Sequence, residues 1–287
     1  MSHKKITIVA VKDALWGDPP VNVNIITPLK KANIIGRVIR KVLVKIHFLQ
    51  AMTYNRNLMR LDTDIIIVFD SGVTTHFLNW LKKNNPSKRI ILWYWNPVAL
   101  TISPDIVPPD IEKWSYSQTD CNQWGLFYNT QFFFSKNIIK STNINSQSDI
   151  YFVGRDKGRA EQILYYKTQF ERLGLKAEYH IIKKHDKLIP YSEILQSVSQ
   201  TKCVFDYCVN ETAGMSLRAL EAMFMSKKVI TNNQMYRQEA FYDPSNIFIL
   251  GENNLDDLKS FFEEPYVEID SKIKNQYLFE SWLERFL

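Results

Sequence analysis

The chain has 287 residues, with 36 Lys and Arg against 30 Asp and Glu, a formal charge of +6 and a pI of ≈ 9.0. That length fits two domains or one large one, and 45% hydrophobic with 23% charged content excludes collagen-like, low-complexity and wholly disordered chains. No long apolar run is free of charge, so no membrane span is expected; no nucleic-acid-binding motif accompanies the basic pI, so nucleic acid is not an expected partner.

The start, MSHKKITIVAV, runs straight into a short β-like segment at 6–11 with no cleavage site, so no signal peptide is read there. Pro28 and the following KKANIIGRVIRKVLVKIHFL predict a helix with Pro in its first turn, Ile34, Ile35, Val38, Val42 and Ile46 on one face and Lys/Arg on the other. Between Lys30 and Arg60 there are eight Lys/Arg and no Asp/Glu. That stretch reads either as a peripheral contact with an anionic inner membrane leaflet or as a solvated helix face. Apolar runs at 65–69 and 89–95 predict buried parallel strands joined by a helix at 75–84, a βαβ unit. After Pro97 the pattern loosens through Pro104, Pro108 and Pro109. The polar stretch KNIIKSTNINSQS, 136–148, is the best linker, which gives domains of 1–145 and 146–287.

The second half alternates cleanly. Strands are predicted at 149–153, 177–182, 202–206, 228–231 and 247–250, helices at 159–173, 191–200 and 216–225, and a last amphipathic helix at 272–287. Repeated β-α-β-α implies an α/β chain of two Rossmann-like domains, each a mainly parallel sheet with helices on both faces. Cys121, Cys203 and Cys208 are odd in number and fit neither a disulfide framework nor a zinc ribbon, so a reducing, cytoplasmic compartment is expected. GxGxxG, P-loop, HExxH and GxSxG motifs are absent, and the five histidines form no ligand-spaced cluster. No metal site and no cofactor are expected.

Two segments carry chemistry. In YFVGRDKGRAEQIL (151–164) a strand ends at Gly154 and is followed by Arg155, Asp156, Lys157, Gly158 and Arg159 before a helix. Cations at the carboxyl end of a parallel strand, beside a helix N-terminus, suit a diphosphate; the alternative is a basic exposed turn. In CVFDYCVNETAGMSLRALEAMFMSKKVITNN (203–233) a strand ends at Asp206, a loop holds Asn210, Glu211 and Gly214, and a helix carries Arg218 and Glu221. A carboxylate there can accept both hydroxyls of a ribose, and an arginine offers a diphosphate two donors. Arg218 and Glu221 are also spaced for a surface ion pair on one helix face. In the first half, Asp70 and His76 follow the second predicted strand, where a general base could stand; Asp120 and Asp13 are further candidates. Trp93, Tyr94, Trp95 and Trp114 could stack on sugars, with Trp95 and the adjacent Asn96 at a strand end the best placed.

SLRALEAMFMSKKVITNN resembles the donor-site segment of GT-B glycosyltransferases. GRDKGR, GMSLRALEAM and FYDPSNI (241–247), with ILWYWNPV (91–98) and KWSYSQTDCNQWGL (113–126), are similar to bacterial glycosyltransferases of lipopolysaccharide, capsule and exopolysaccharide assembly. The resemblance implies two Rossmann-like domains facing across a cleft, acceptor domain first, donor domain second, with the C-terminal helix crossing back to the first domain. It implies that Glu221 binds the nucleotide ribose, that Arg155 and Lys157 hold the diphosphate, and that Gly214, Met215 and Ser216 offer helix-start amides. The donor-binding set is then Gly154, Arg155, Lys157, Arg159, Asp206, Glu211, Gly214, Met215, Ser216, Arg218 and Glu221; the acceptor side holds Trp95 and Asn96, with Asp70, His76 or Asp120 catalytic. Retaining enzymes of this type carry two glutamates eight positions apart. Ala213 stands eight before Glu221 and Glu211 is out of register, so the stereochemistry stays open. The implied activity is metal-independent transfer of a sugar from a nucleotide-activated donor to a glycan or lipid-linked glycan acceptor. A non-catalytic sugar-nucleotide-binding subunit and a GT-B-type epimerase are the alternatives.

Overall fold

The structure, a computed structural model, describes residues 4–11, 22–30, 33, 47–139, 148–209 and 214–287. Most of the basic helix expected after Pro28, the centre of the linker, and Asp13, Glu211 and Ala213 lie outside the described residues. The chain falls into two compact units, Met1–Asn129 and Thr130–Leu287.

The first unit is a parallel sheet of six strands in the order β2-β1-β3-β4-β5-β6, with β1 Ile6–Val9, β2 Val23–Ile26, β3 Ile65–Phe69, β4 Arg89–Tyr94, β5 Glu112–Ser115 and β6 Phe127–Tyr128. Every residue of β3 is buried, as a strand covered on both faces requires. Helix α1, Thr75–Asn84, links β3 to β4 at the predicted bounds. The Thr74 hydroxyl accepts from Phe77 N at its start, Lys82 and Lys83 stand in its last turn, and Phe77, Leu78 and Leu81 turn inward. These are the cap and dipole preferences of an amphipathic helix. A second helix, α2, Gln118–Trp124, joins β5 to β6.

The second unit is a parallel sheet of five strands in the order β11-β10-β9-β7-β8. Here β7 is Ser148–Arg155, β8 Ala177–Ile182, β9 Thr201–Asp206, β10 Lys228–Thr231 and β11 Ile247–Ile249. Helices α3 Ala160–Arg172, α4 Tyr191–Ser199 and α5 Leu217–Phe224 alternate with the first four strands. One core layer holds Tyr151, Val153, Val204, Leu220 and Met223; the other holds Phe152, Ile163, Phe170, Phe205 and Ile230. Adjacent strand residues thus feed opposite faces. Strand β7 lies between β8 and β9, so the chain reverses its direction of winding there, the place where open α/β sheets bind ligands.

The single C-terminal helix expected at 272–287 is instead α7, Ser271–Gln276, and α8, Phe279–Glu284, after a short α6, Leu258–Glu263. The break has a backbone cause. Phe133 N donates to Tyr277 O at 2.8 Å and Phe279 N to Phe133 O at 3.0 Å, a strand-like bridge that takes the groups a continuous helix would use. The rings of Phe132, Phe134, Phe279 and Trp282 pack about this bridge. Residues 130–139 therefore cluster with the second unit, ahead of the polar stretch chosen as linker, and these contacts of α8 lie within that unit. No described helix is long and apolar enough to cross a membrane.

Trp282 is fully buried and clamps this segment. Trp282→Ala is expected to destabilise the protein by about 3–5 kcal/mol, the usual cost of emptying a large aromatic site; urea unfolding measures it, and an unchanged midpoint would contradict the packing described.

Candidate active site

The two chemistry-bearing segments of the second unit meet at the carboxyl ends of β7 and β9. Arg218, one residue into α5, donates from Nε to Asp206 Oδ1 at 2.9 Å and from its terminal nitrogens to Asp206 Oδ1 at 2.8 Å and Val153 O at 3.3 Å. Tyr236 donates its hydroxyl to Asp206 Oδ2 at 2.5 Å, and accepts at the same oxygen from Ser216 N at 3.1 Å. Burial alone would push the Asp206 carboxyl up, but the Arg218 charge and the Tyr236 bond hold it below the usual range. The surface ion pair between Arg218 and Glu221 is thereby replaced: Arg218 reaches the strand ends and pairs with Asp206 instead.

Arg159 lies beside Arg218. Only 7% of its surface is exposed, it bonds the carbonyls of Tyr207 and Arg155, and its Nε has no partner among the described residues. Both guanidiniums lie over the Phe152 ring, at 5.7 and 5.6 Å. Gly154 is what permits this approach, since a Cβ there would stand 3.1 Å from a guanidinium nitrogen of each arginine. The turn that follows takes Lys157 and Gly158 into left-handed backbone, φ 50° and 80°, and closes with Ala160 N donating to Asp156 Oδ1 at 2.9 Å. Arg155 and Lys157 are left exposed at its tip. Partial desolvation, then the charges of Arg159, Arg218 and Arg155, lower the Lys157 ammonium. Cations this crowded, with Asp206 and Asp156 the carboxylates among them within the described residues, favour a multiply charged anion.

Glu221 is 3% exposed, and its Oε2 has no hydrogen-bond partner among the described residues. Burial pushes its carboxyl up to about 7, against the opposing pull of a Tyr191 hydrogen bond and the Arg218 charge. A buried acceptor left open in this way is costly unless a ligand donates to it. Of the helix-start residues, Ser216 caps α5 by accepting from Ala219 N at 3.3 Å, its amide is taken by Tyr236, and Met215 is buried in the core. The amide of Ser216 is therefore not open to a ligand. Sequence reasoning missed Tyr236 and Tyr191. Tyr236 follows the end of β10, and a search of every loop after a parallel strand would have reached it.

In the first unit, Asp70 directly follows β3 and is 1% exposed. It accepts from Asn96 N and from Asn96 Nδ2, each at 3.2 Å. Burial pushes its carboxyl up to about 6, while the Asn96 bonds pull the other way. Asp70 lines a pocket of about 480 Å³ with Gly72, Val73, Thr74, Thr75, Leu100, Thr101, Ile102 and Ile106. The other two predicted acid–base residues stand outside that lining. Asp120 accepts from Val98 N at 3.0 Å, and His76 Nδ1 lies 2.8 Å from the Tyr54 hydroxyl. Trp93 and Tyr94 are core, and the Trp95 ring packs at 5.3 Å from Phe69. Among the described residues no group of three or more His, Cys, Asp or Glu is placed to hold a metal, and the three cysteines are free and buried.

No family model matches the sequence, and no curated protein matches it. The architecture has solved counterparts. AviGT4, a glycosyltransferase involved in avilamycin A biosynthesis, aligns with a TM-score of 0.55 at 12% identity over 99% of this chain and 96% of that one. Anabaena Alr3699/HepE in complex with UDP-glucose aligns with 0.53 at 10% identity over 99% and 98%. The lipopolysaccharide outer core galactosyltransferase WaaB aligns with 0.51 at 12% identity over 93% and 83%. These likenesses are of fold: the chain has the α/β architecture, with two parallel sheets, of the GT-B glycosyltransferases.

Because the Glu221 carboxyl titrates near 7 in the folded chain and near 4.5 when exposed, its burial is free of penalty below the lower value, and stability falls as pH rises through the higher. Glu221→Gln should match the parent below about pH 4.5 and exceed it above about pH 8, by on the order of 3 kcal/mol at most. Urea unfolding at the two pH values checks this; superimposable stability differences at both would contradict the assignment.

Proposed function

We propose that the protein is a glycosyltransferase that moves a sugar from a nucleoside-diphosphate donor to a hydroxyl of a glycan acceptor. The observation that carries this reading is the pairing, at one sheet end, of two guanidiniums over one phenyl ring, Arg218 paired with Asp206 and Arg159 with an Nε that has no partner among the described residues, with the buried carboxylate of Glu221, whose Oε2 likewise has none among them. A diphosphate matches the first and a ribose diol the second. Arg155, Lys157, Arg159 and Arg218 would stabilise the charge that builds on the departing diphosphate. The HepE complex with UDP-glucose, on the same fold, supports a nucleotide-sugar donor.

Asp70 is the general base in this reading. It combines burial, a position in the lining of a pocket and a carboxyl lifted towards neutrality, so it can take a hydroxyl proton near the operating pH. Asn96 would orient it. The acceptor would be a cell-surface glycan or its lipid-linked precursor, a role supported by the likeness to WaaB, and the protein would work in the cytoplasm against the inner membrane face.

Thermal unfolding with UDP, GDP, ADP, CMP and TDP in EDTA tests the donor site. A ligand at 100 times its dissociation constant should stabilise the fold by about 2.7 kcal/mol, and one nucleotide should stand clear of the rest. Its affinity should rise with pH through about 7 as Glu221 ionises, because a diol donates best to the charged form. No shift with any of them, with or without Mg²⁺, would remove the glycosyltransferase reading.

Asp70→Asn should leave that nucleotide's affinity unchanged and slow turnover of its sugar conjugate by about 10²–10⁴-fold. Unaltered turnover would transfer the role of base to another residue.

A further inference from the structure

Two segments line the Asp70 pocket: 70–75, after β3, brings Asp70, Thr74 and Thr75, and 100–106 brings Leu100, Ile102 and Ile106, an aliphatic wall interrupted by Thr101. Leu100 and Ile106 are 62% and 56% exposed, large aliphatic surfaces held in water in the lining of a pocket.

The wall is preset by its backbone. Leu100 ends a single turn, Val98–Leu100, that begins after Pro97 and is tied down by Val98 N donating to Asp120 Oδ2. Ile106 ends the turn Pro104–Ile106, which has Pro in its first position and Ser103 ahead of it. Pro97 before the first turn and Pro104 at the start of the second each have φ fixed by the ring, which restrains the backbone that carries Leu100 and Ile106. No aromatic ring lines the pocket among the described residues, so the usual stacking of a sugar face on a ring is not on offer there.

The ligand that fits has hydroxyls along one edge and carbon along the other. A hexose carrying hydroxyls on every edge would desolvate one against Leu100 or Ile106 with nothing to pair it, a loss the exposed ligand does not suffer in water. A methyl group in that position would instead cover the wall. We propose that the acceptor taken at this pocket is a 6-deoxyhexose or a like sugar with an apolar edge, and that Leu100, Ile102 and Ile106 are its specificity-determining residues. The proposal rests on the glycosyltransferase reading and on Asp70 as the group that receives the acceptor hydroxyl's proton.

The test is a binding titration of the full chain, labelled at its Leu, Ile and Val methyl groups, with matched methyl glycosides that differ only at C6. The pairs are L-rhamnoside and L-mannoside, L-fucoside and L-galactoside, and 6-deoxy-D-glucoside and D-glucoside. In at least one pair the deoxy sugar should bind about 10-fold more tightly, the discrimination one such group gives in an apolar pocket, and should shift the methyl signals of Leu100, Ile102 and Ile106. In the double variant Leu100→Asn, Ile106→Asn, whose substitutions are at exposed positions, the two members of that pair should bind within about 2-fold of each other, with an unchanged melting temperature. Equal or weaker binding of the deoxy member in all three pairs overturns the proposal. So does the absence of any shift at those methyls while a nucleoside diphosphate still stabilises the protein, which leaves the donor reading intact. If the nucleotides also fail to stabilise it, the proposal and the glycosyltransferase reading fall together.

Discussion

The buried pair of Asp206 and Arg218 is the constraint on which the second unit is organised. Asp206 ends β9, Arg218 begins α5, Val153 belongs to β7 and Tyr236 follows β10, so one carboxylate and one guanidinium tie four elements at the point where the sheet reverses its winding. Placing an ion pair in so dry a position is unfavourable unless its remaining hydrogen-bonding groups are filled. Here Oδ1 takes two bonds from the arginine and Oδ2 one from the tyrosine. The pair leaves the second arginine, Arg159, without a carboxylate of its own. Two guanidiniums on one phenyl ring repel each other, and the proton affinity of Arg159 is lowered by burial first and by the Arg218 charge next. An incoming anion would relieve that repulsion, the role proposed for the cluster.

The two units hold opposite charge at corresponding places. Each presents its polar groups just past the carboxyl ends of parallel strands, where backbone geometry turns side chains away from the core. The second unit gathers cations there and the first gathers a carboxylate, Asp70, steadied by Asn96 just past the neighbouring strand β4. Both Asp70 and Glu221 are lifted by burial, so near neutrality both penalise the folded state. Groups that destabilise the protein in which they sit, and that remain open to a donor, are the ones a binding site is expected to keep.

How much of this was legible in the sequence depended on whether the determining contact was local. IIIVF and RIILWY announce buried strands because both faces are apolar. The strands VNII, EKWS and FY do not, since they are short and lie at or beside the margins of the first sheet, with one side half-exposed. The last helix looked continuous because its apolar spacing is continuous; the bridge that divides it comes from Phe133, far away in the chain. At the site, the Gly154–Arg159 turn and the Arg218–Glu221 helix were readable from strand-turn-helix punctuation. Their partners were not, because Tyr236 arrives from the turn after β10 and Tyr191 from the start of α4.

The same distinction explains why Arg218 was open to a second reading as a surface partner of Glu221. A spacing of three on a helix places two side chains on one face, but does not say whether that face meets water or the sheet. The neighbouring residues decide it: Leu217, Ala219, Leu220, Ala222 and Met223 leave α5 hardly any polar face to present, and Glu221 is buried with them. A carboxylate and a guanidinium on an otherwise apolar helix cannot both be solvated. Each must be answered from inside the fold, and only Arg218 is answered in full, by Asp206. The Oε2 of Glu221, without a partner among the described residues, is the remainder of that account, and a hydroxyl donor is what it lacks.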